Sequence, residues 1–190
     1  MAKNKPFIGI KRIWYGEPLT EANTPAKLAT WLSTATEVMN SHEGTWGYSQ
    51  DDPSVTEYKN ELNGQVYYRD KTDEGAKTIT FSIGVYSWKN KVDLQGGTML
   101  DDKGAVTTNE ATACGWASSQ DLQNINKTLV AETKTGNYIV FSNAAIVAKG
   151  DQQDKNIALG ISAVAMESET PGVAGEYLWD GEKVVIPDLG

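Results

Sequence analysis

Between residues 77 and 86 apolar and polar side chains alternate. Ile79, Phe81, Ile83 and Val85 fall on one face, and Thr78, Thr80 and Ser82 on the other. A period of two marks a strand with one face in a core and the other outward. The pattern returns at residues 155–166, where Ile157, Leu159, Ile161, Ala163 and Ala165 occupy every second position. Before it, residues 138–148 form a β-branched and aromatic run with a bulge or a bend expected at Ser142-Asn143. With Gly150-Asp151 as the expected turn, residues 138–166 make a large antiparallel hairpin. The chain is therefore mainly β: an antiparallel sandwich or barrel. With no long repeat, low-complexity tract or linker, residues 1–190 are expected to form one domain.

The rest of the chain supplies further strands and one helix. Residues 7–15 are rich in β-branched and aromatic side chains and predict a first strand. Thr24-Pro25 then starts a helix, with Thr as N-cap and Pro at the first helical position. Leu28, Trp31, Leu32 and Ala35 lie at the spacing of one helical face, so a helix over about residues 25–35 should cover a sheet edge or an open end. Another strand is expected to begin at Glu37-Val38-Met39. Residues 127–133 read as a strand with either Leu129 and Ala131 or Val130 inward. Residues 87–125 are less regular. Gly96-Gly97 there reads as a backbone device, because the sequence lacks the Gly-Lys-Ser/Thr ending of a phosphate loop. Residues 101–115 read as a surface excursion anchored by Trp116, and Tyr177, Trp179 and residues 184–186 close the chain.

Residues 44–69 hold the most unusual local pattern. Aromatic residues alternate with polar ones around Thr45-Trp46-Gly47-Tyr48, and Gln50-Asp51-Asp52-Pro53 interrupts them. Pro53 cannot sit in a central strand. Residues 55–62 fit an edge strand or a helical turn, Asn63-Gly64 is a strong hairpin signal, and residues 65–69 leave it as a strand. This is a long β-excursion with an exposed, charged loop and no catalytic pattern.

Composition narrows the functions. The formal net charge of -8 disfavours binding nucleic acid through a basic patch. One cysteine, Cys114, allows no intramolecular disulfide, and the single histidine, His42, gives no zinc set. The acidic stretches at residues 101–104 and 151–154 lack the ligand spacing of a calcium loop. Neither a Ser-His-Asp triad nor a distinctive carboxylate pair emerges, so no enzyme, cofactor or metal is expected. No apolar run is long enough to span a membrane or serve as a signal peptide, which predicts folding in a cytoplasm.

The feature order, together with several short segments, resembles the major tail tube proteins of tailed bacteriophages and prophages. That group is related in fold to the tubes of contractile injection systems. The segments are Ala35-Thr36-Glu37-Val38, the run from Tyr48 through Gln50-Asp51-Asp52-Pro53 to Lys59, Thr80-Phe81-Ser82-Ile83, Leu94-Gln95-Gly96-Gly97, and Val140-Phe141-Ser142-Asn143-Ala144. Residues 99–125 fall outside the resemblance. It implies a β-sandwich or barrel with a flanking helix, assembled as six-subunit rings. The rings stack around a lumen through which DNA passes without specific binding, alongside other tail proteins of a virion built in the bacterial cytoplasm. The expected assembly contacts are Trp46, Tyr48, Gln50, Asp51, Asp52, Pro53, Tyr58 and Tyr67, with an acidic tip at residues 50–54. A second reading is a β-sandwich carbohydrate-binding module, since six tryptophans and eight tyrosines could stack on sugars. A third is another virion protein, of a baseplate or a capsid decoration.

Overall fold

The computed structural model describes residues 5–185. In chain order its elements are β1 (Arg12–Gly16), α1 (Pro25–Leu32), β2 (Thr36–Glu37), β3 (Gly47–Gln50), β4 (Val55–Lys59), β5 (Val66–Lys71), β6 (Lys77–Ile83), α2 (Trp88–Gln95), β7 (Thr98–Leu100), β8 (Val106–Thr107), β9 (Gly115–Ala117), β10 (Ile125–Glu132), β11 (Tyr138–Gln153), β12 (Asn156–Ala165) and β13 (Glu176–Trp179). A short 3-10 turn follows at Gly181–Lys183. Ile186, expected to close the chain, lies outside the described residues.

The main sheet is antiparallel and runs β2-β1-β10-β11-β12-β6-β3, with β13 also paired to β11. Its two ends meet through residues 36–42. Thr36 and Glu37 pair with β1, while Ser41 bridges Ile83 and the His42 N–H donates to the Ser82 carbonyl at 2.7 Å. One segment thus joins β1 to β6 and closes the sheet into a barrel. Ile13, Tyr15, Ile79, Phe81, Ile83, Leu129, Phe141, Leu159 and Ile161 form one buried cluster inside it.

Residues 127–133 admitted two inward faces because both are covered. Leu129 and Ala131 enter the barrel, whereas Val130 joins Trp14, Val140, Leu28 and Leu32 in a second cluster on the outside. Helix α1 therefore packs on the barrel's outer face, not on an edge or open end. It stops at Leu32, short of residue 35, with Ser33 as its C-cap. Its N-cap is as expected: the Thr24 hydroxyl accepts from the Lys27 N–H, and Pro25 follows. Thr24→Ala should cost about 1 kcal/mol in denaturant unfolding.

The hairpin of β11 and β12 is present, and its bulge sits at Ser142-Asn143. Those two residues face Thr128 alone between the pairs Lys127↔Ala144 and Leu129↔Phe141. The turn is not at Gly150-Asp151. Strand β11 continues to Gln153, and Asp154-Lys155 reverses the chain, with Asp154 at a positive φ of 54°. A two-residue connection needs this backbone, and Asp tolerates it.

Other boundaries also move. The first strand begins at Arg12, because Gly9 bends the chain with φ 62°. Strand β2 ends at Glu37, and Met39 is exposed. Strand β6 ends at Ile83, so Val85 leaves the core face, and Ile157 is likewise exposed beyond the barrel rim. Residues 87–125 contain a second helix, α2, and a small sheet ordered β8-β7-β9. Ser87 and Asn90 cap α2 reciprocally. Gly96 and Gly97 both take positive φ, and the Trp116 indole N–H donates to the Gly96 carbonyl at 2.8 Å, tying the excursion down.

Helix α2 reaches the barrel through Leu94 and through the buried Tyr15. The Tyr15 hydroxyl accepts from Asn90 Nδ2 at 2.7 Å and donates to Asp93 Oδ2 at 3.3 Å. Burial pushes this phenol up to about 12, with the Asp93 carboxylate adding to the shift against the Asn90 hydrogen bond. A raised folded pKa favours the neutral phenol. Its stabilisation is complete below the unfolded value near 10 and is lost as pH rises through 12. Unfolding midpoints measured across that window should fall, and Tyr15→Phe should flatten the fall.

Candidate functional site

Strands β3 and β6 form a ladder from Gly47↔Thr80 to Gln50↔Lys77, and the ribbon continues past the barrel. The Asp51 N–H donates to the Ala76 carbonyl at 2.9 Å, and the Thr72 N–H to the Ser54 carbonyl at 2.9 Å. Beyond that neck, β4 pairs with β5 from Val55↔Lys71 to Tyr58↔Tyr68. Residues 47–83 are thus one long two-stranded ribbon. Its inner half belongs to the barrel and its outer half is an arm.

Residues 55–62 are a strand followed by a turn, and Asn63-Gly64 lies in the hairpin turn as its sequence predicts. The acidic stretch is misplaced by the sequence reading. Gln50 ends β3, and Asp51, Asp52 and Pro53 lie in the neck, not at the tip. The tip is Glu61-Leu62-Asn63-Gly64. Pro53 offers no N–H to the ladder, so regular pairing lapses there. Gly75 is fixed by sterics: its φ is 78°, and a Cβ there would meet the Asp51 carbonyl oxygen at 2.0 Å. Gly75→Ala should therefore distort the neck and impair any function of the arm, with little change in the barrel.

All of β4 and β5 is exposed. Tyr58 and Tyr68 rest on each other at 5.7 Å between ring centroids, and Arg69 pairs with Glu57 at 2.7 Å. Leu62 is 94% exposed and Tyr67 70% exposed, with Val55, Val66 and Tyr68 also open to solvent. The extensive packing of the two strands, among the described residues, is with each other.

The eight expected contact residues therefore divide. Tyr58 and Tyr67 lie on the free arm. Trp46 packs against the barrel core, so its ring is committed inward. Tyr48 rests on Phe141 at 6.3 Å and donates its hydroxyl to Glu176 Oε1 at 2.7 Å. Lys77 binds the same carboxylate group, so this trio braces the arm's root. Burial and Glu176 push the Tyr48 phenol up to about 12. Gln50 holds the neck through the Glu74 carbonyl at 2.8 Å. The arm residues missed in the sequence are Val55, Leu62, Val66 and Tyr68. Their signal was apolar side chains on both faces of a short hairpin.

Elsewhere the polar groups serve local structure. Asp101 accepts from the N–H groups of Lys103 and Ala105, closing a turn. Hydrogen bonds from Gln153 and Ser82 hold the Asp151 carboxyl below its usual range. Asp151 borders an open depression of about 430 Å³ on the outer sheet face, with Thr80, Val147, Lys149 and Ser162. Among the described residues no cluster of three or more His, Cys, Asp or Glu could hold a metal ion. No helix among them is long and apolar enough to cross a membrane. No protein-family model matches the chain, and no curated protein matches it in sequence.

Proposed function

We propose that this chain is a structural subunit of a phage-type tail tube, assembling as stacked rings through its arm. The observation that carries this reading is the exposed arm at residues 55–71. A two-stranded hairpin standing alone is at best marginally stable in water. This one also exposes Val55, Tyr58, Leu62, Val66, Tyr67 and Tyr68 together. Exposed apolar side chains concentrated on one projecting element mark a contact site. An arm with two open edges and aromatic faces suits another polypeptide better than a small molecule.

The resemblance to tail tube proteins supplies the expected form: six-subunit rings around a lumen in a virion tail assembled in a bacterial cytoplasm. The net charge of -8 is compatible with DNA passing such a lumen without sticking. In this reading the protein is not an enzyme and its partners are its own copies and other tail proteins. The carbohydrate-binding reading draws on the same exposed tyrosines, which could stack on sugars. Sedimentation velocity across a concentration series separates the two. Association into large species supports the tube. A persistent monomer that binds polysaccharide on a glycan array would replace it with the sugar-binding reading.

A further inference from the structure

The bulge at Ser142-Asn143 places a buried amide on the wall of a small cavity of about 100 Å³. Thr20, Asn126, Asn143, Ser168, Glu169 and Thr170 bring side-chain oxygens to its lining. Asn143 is only 4% exposed. Its Nδ2 donates to the Glu167 carbonyl at 2.9 Å, whereas its Oδ1 is buried with no hydrogen-bond partner among the described residues. A buried acceptor left unpaired carries its full desolvation penalty, so such an atom on a cavity wall points to a ligand.

The segments around the cavity are tied to one another. Thr128 Oγ1 donates to the Ser142 carbonyl at 2.6 Å and accepts from the Leu19 N–H at 2.9 Å, which fastens residues 18–20 to the bulge. On the other side the Met166 N–H donates to the Asn143 carbonyl at 2.8 Å, and the Thr170 N–H to Ser168 Oγ at 3.2 Å. Asn126 stands on β10 in register with Ala145. Four segments far apart in the sequence therefore meet at one oxygen-lined cavity.

We propose that this cavity binds one calcium ion, with Asn143 Oδ1 and the Glu169 carboxylate among its ligands, and that the ion fastens residues 166–175 to the barrel at the bulge. The lining offers a carboxylate, two amides and three hydroxyls, and no Lys, Arg, His or Cys borders it among the described residues. Lys127, next to Asn126, is held by Glu17 at 2.5 Å. Calcium takes about six to eight oxygens in flexible geometry and accepts amide and backbone carbonyls and water beside carboxylates, so it needs no cluster of acidic residues. Zinc prefers nitrogen and sulfur ligands, and magnesium demands a tighter octahedron. One water takes about 30 Å³, so the cavity has room for the ion and one or two waters. Glu169 is exposed, which leaves the site open to filling from solvent. The proposal does not rest on the tube reading.

Calorimetric titration of calcium chloride into the dilute, metal-free full chain tests the site. The expected result is one ion per chain, with a dissociation constant of roughly 10⁻⁴–10⁻³ M for a site with a single carboxylate. At about 10 mM calcium the thermal midpoint should rise by roughly 3–6 °C, and magnesium should raise it far less. Glu169→Gln removes the charge at an exposed position and should leave the fold intact. It is expected to weaken binding by about tenfold or more, because ligand charge sets affinity in such sites. Glu61→Gln, at the arm tip, should bind as the wild type does. No heat and no thermal shift at about 10 mM calcium would mean that the cavity takes only water, and would overturn the proposal. Binding that Glu169→Gln leaves unchanged would overturn it too, since the ion would then sit on another acidic stretch.

Discussion

Replacing residues 55–71 by a two-residue Asn-Gly turn is expected to abolish assembly and leave the barrel folded. The neck makes this excision clean. Ser54 and Thr72 are already joined by a 2.9 Å backbone hydrogen bond, so a tight turn can connect them. The ladder between β3 and β6 is untouched, and so are Tyr48, Lys77 and Glu176 at its root. The thermal midpoint should move by less than about 2 °C, since little buried surface is lost. The concentration needed for assembly should rise at least about 100-fold, equivalent to about 2.7 kcal/mol of contact. Cutting at residues 50–54 would be a poorer experiment, because Gln50 belongs to β3 and Asp51 pairs with Ala76. A shortened protein that still assembles normally would show that the arm is not the contact.

The second large effect is on the fold. Phe81 is buried in the barrel, opposite Ile161 of β12, and its ring joins the main core cluster. Phe81→Ala should destabilise the protein by about 3–5 kcal/mol, combining lost burial with a cavity that a closed barrel cannot easily collapse. Denaturant unfolding followed by tryptophan fluorescence measures it. Val147→Ala, at an exposed position on the outer face, should stay within about 0.5 kcal/mol. The contrast checks that the core lies inside the barrel and not between α1 and the sheet alone.

The regular strands were legible because each carries its own pattern. Ile79, Phe81 and Ile83 reveal their shared face by spacing alone, and Thr24-Pro25 announces the start of α1 chemically. The bulge at Ser142-Asn143 was legible because two polar residues break an apolar run. Closure of the barrel was not, because residues 36–42 pair with β1 through one half and β6 through the other, and neither half is long enough to show a period. Helix α2 escaped because only Leu94 is buried along it, although the reciprocal caps Ser87 and Asn90 are three residues apart as a capping box requires. The arm was half legible. Asn63-Gly64 gave its turn, but acidic residues suggested that Asp51 and Asp52 were the tip. Composition shows that a segment is exposed, whereas only pairing shows whether it is the neck or the end. Trp46 is adjacent in sequence to the exposed Tyr48, which hides that it packs against the barrel core.

Electron microscopy of the concentrated 20.7 kDa protein tests the central claim most directly. Rings or tubes with a central channel, lost when residues 55–71 are replaced, are the predicted result. Dispersed single subunits at every concentration, with and without the arm, would contradict it.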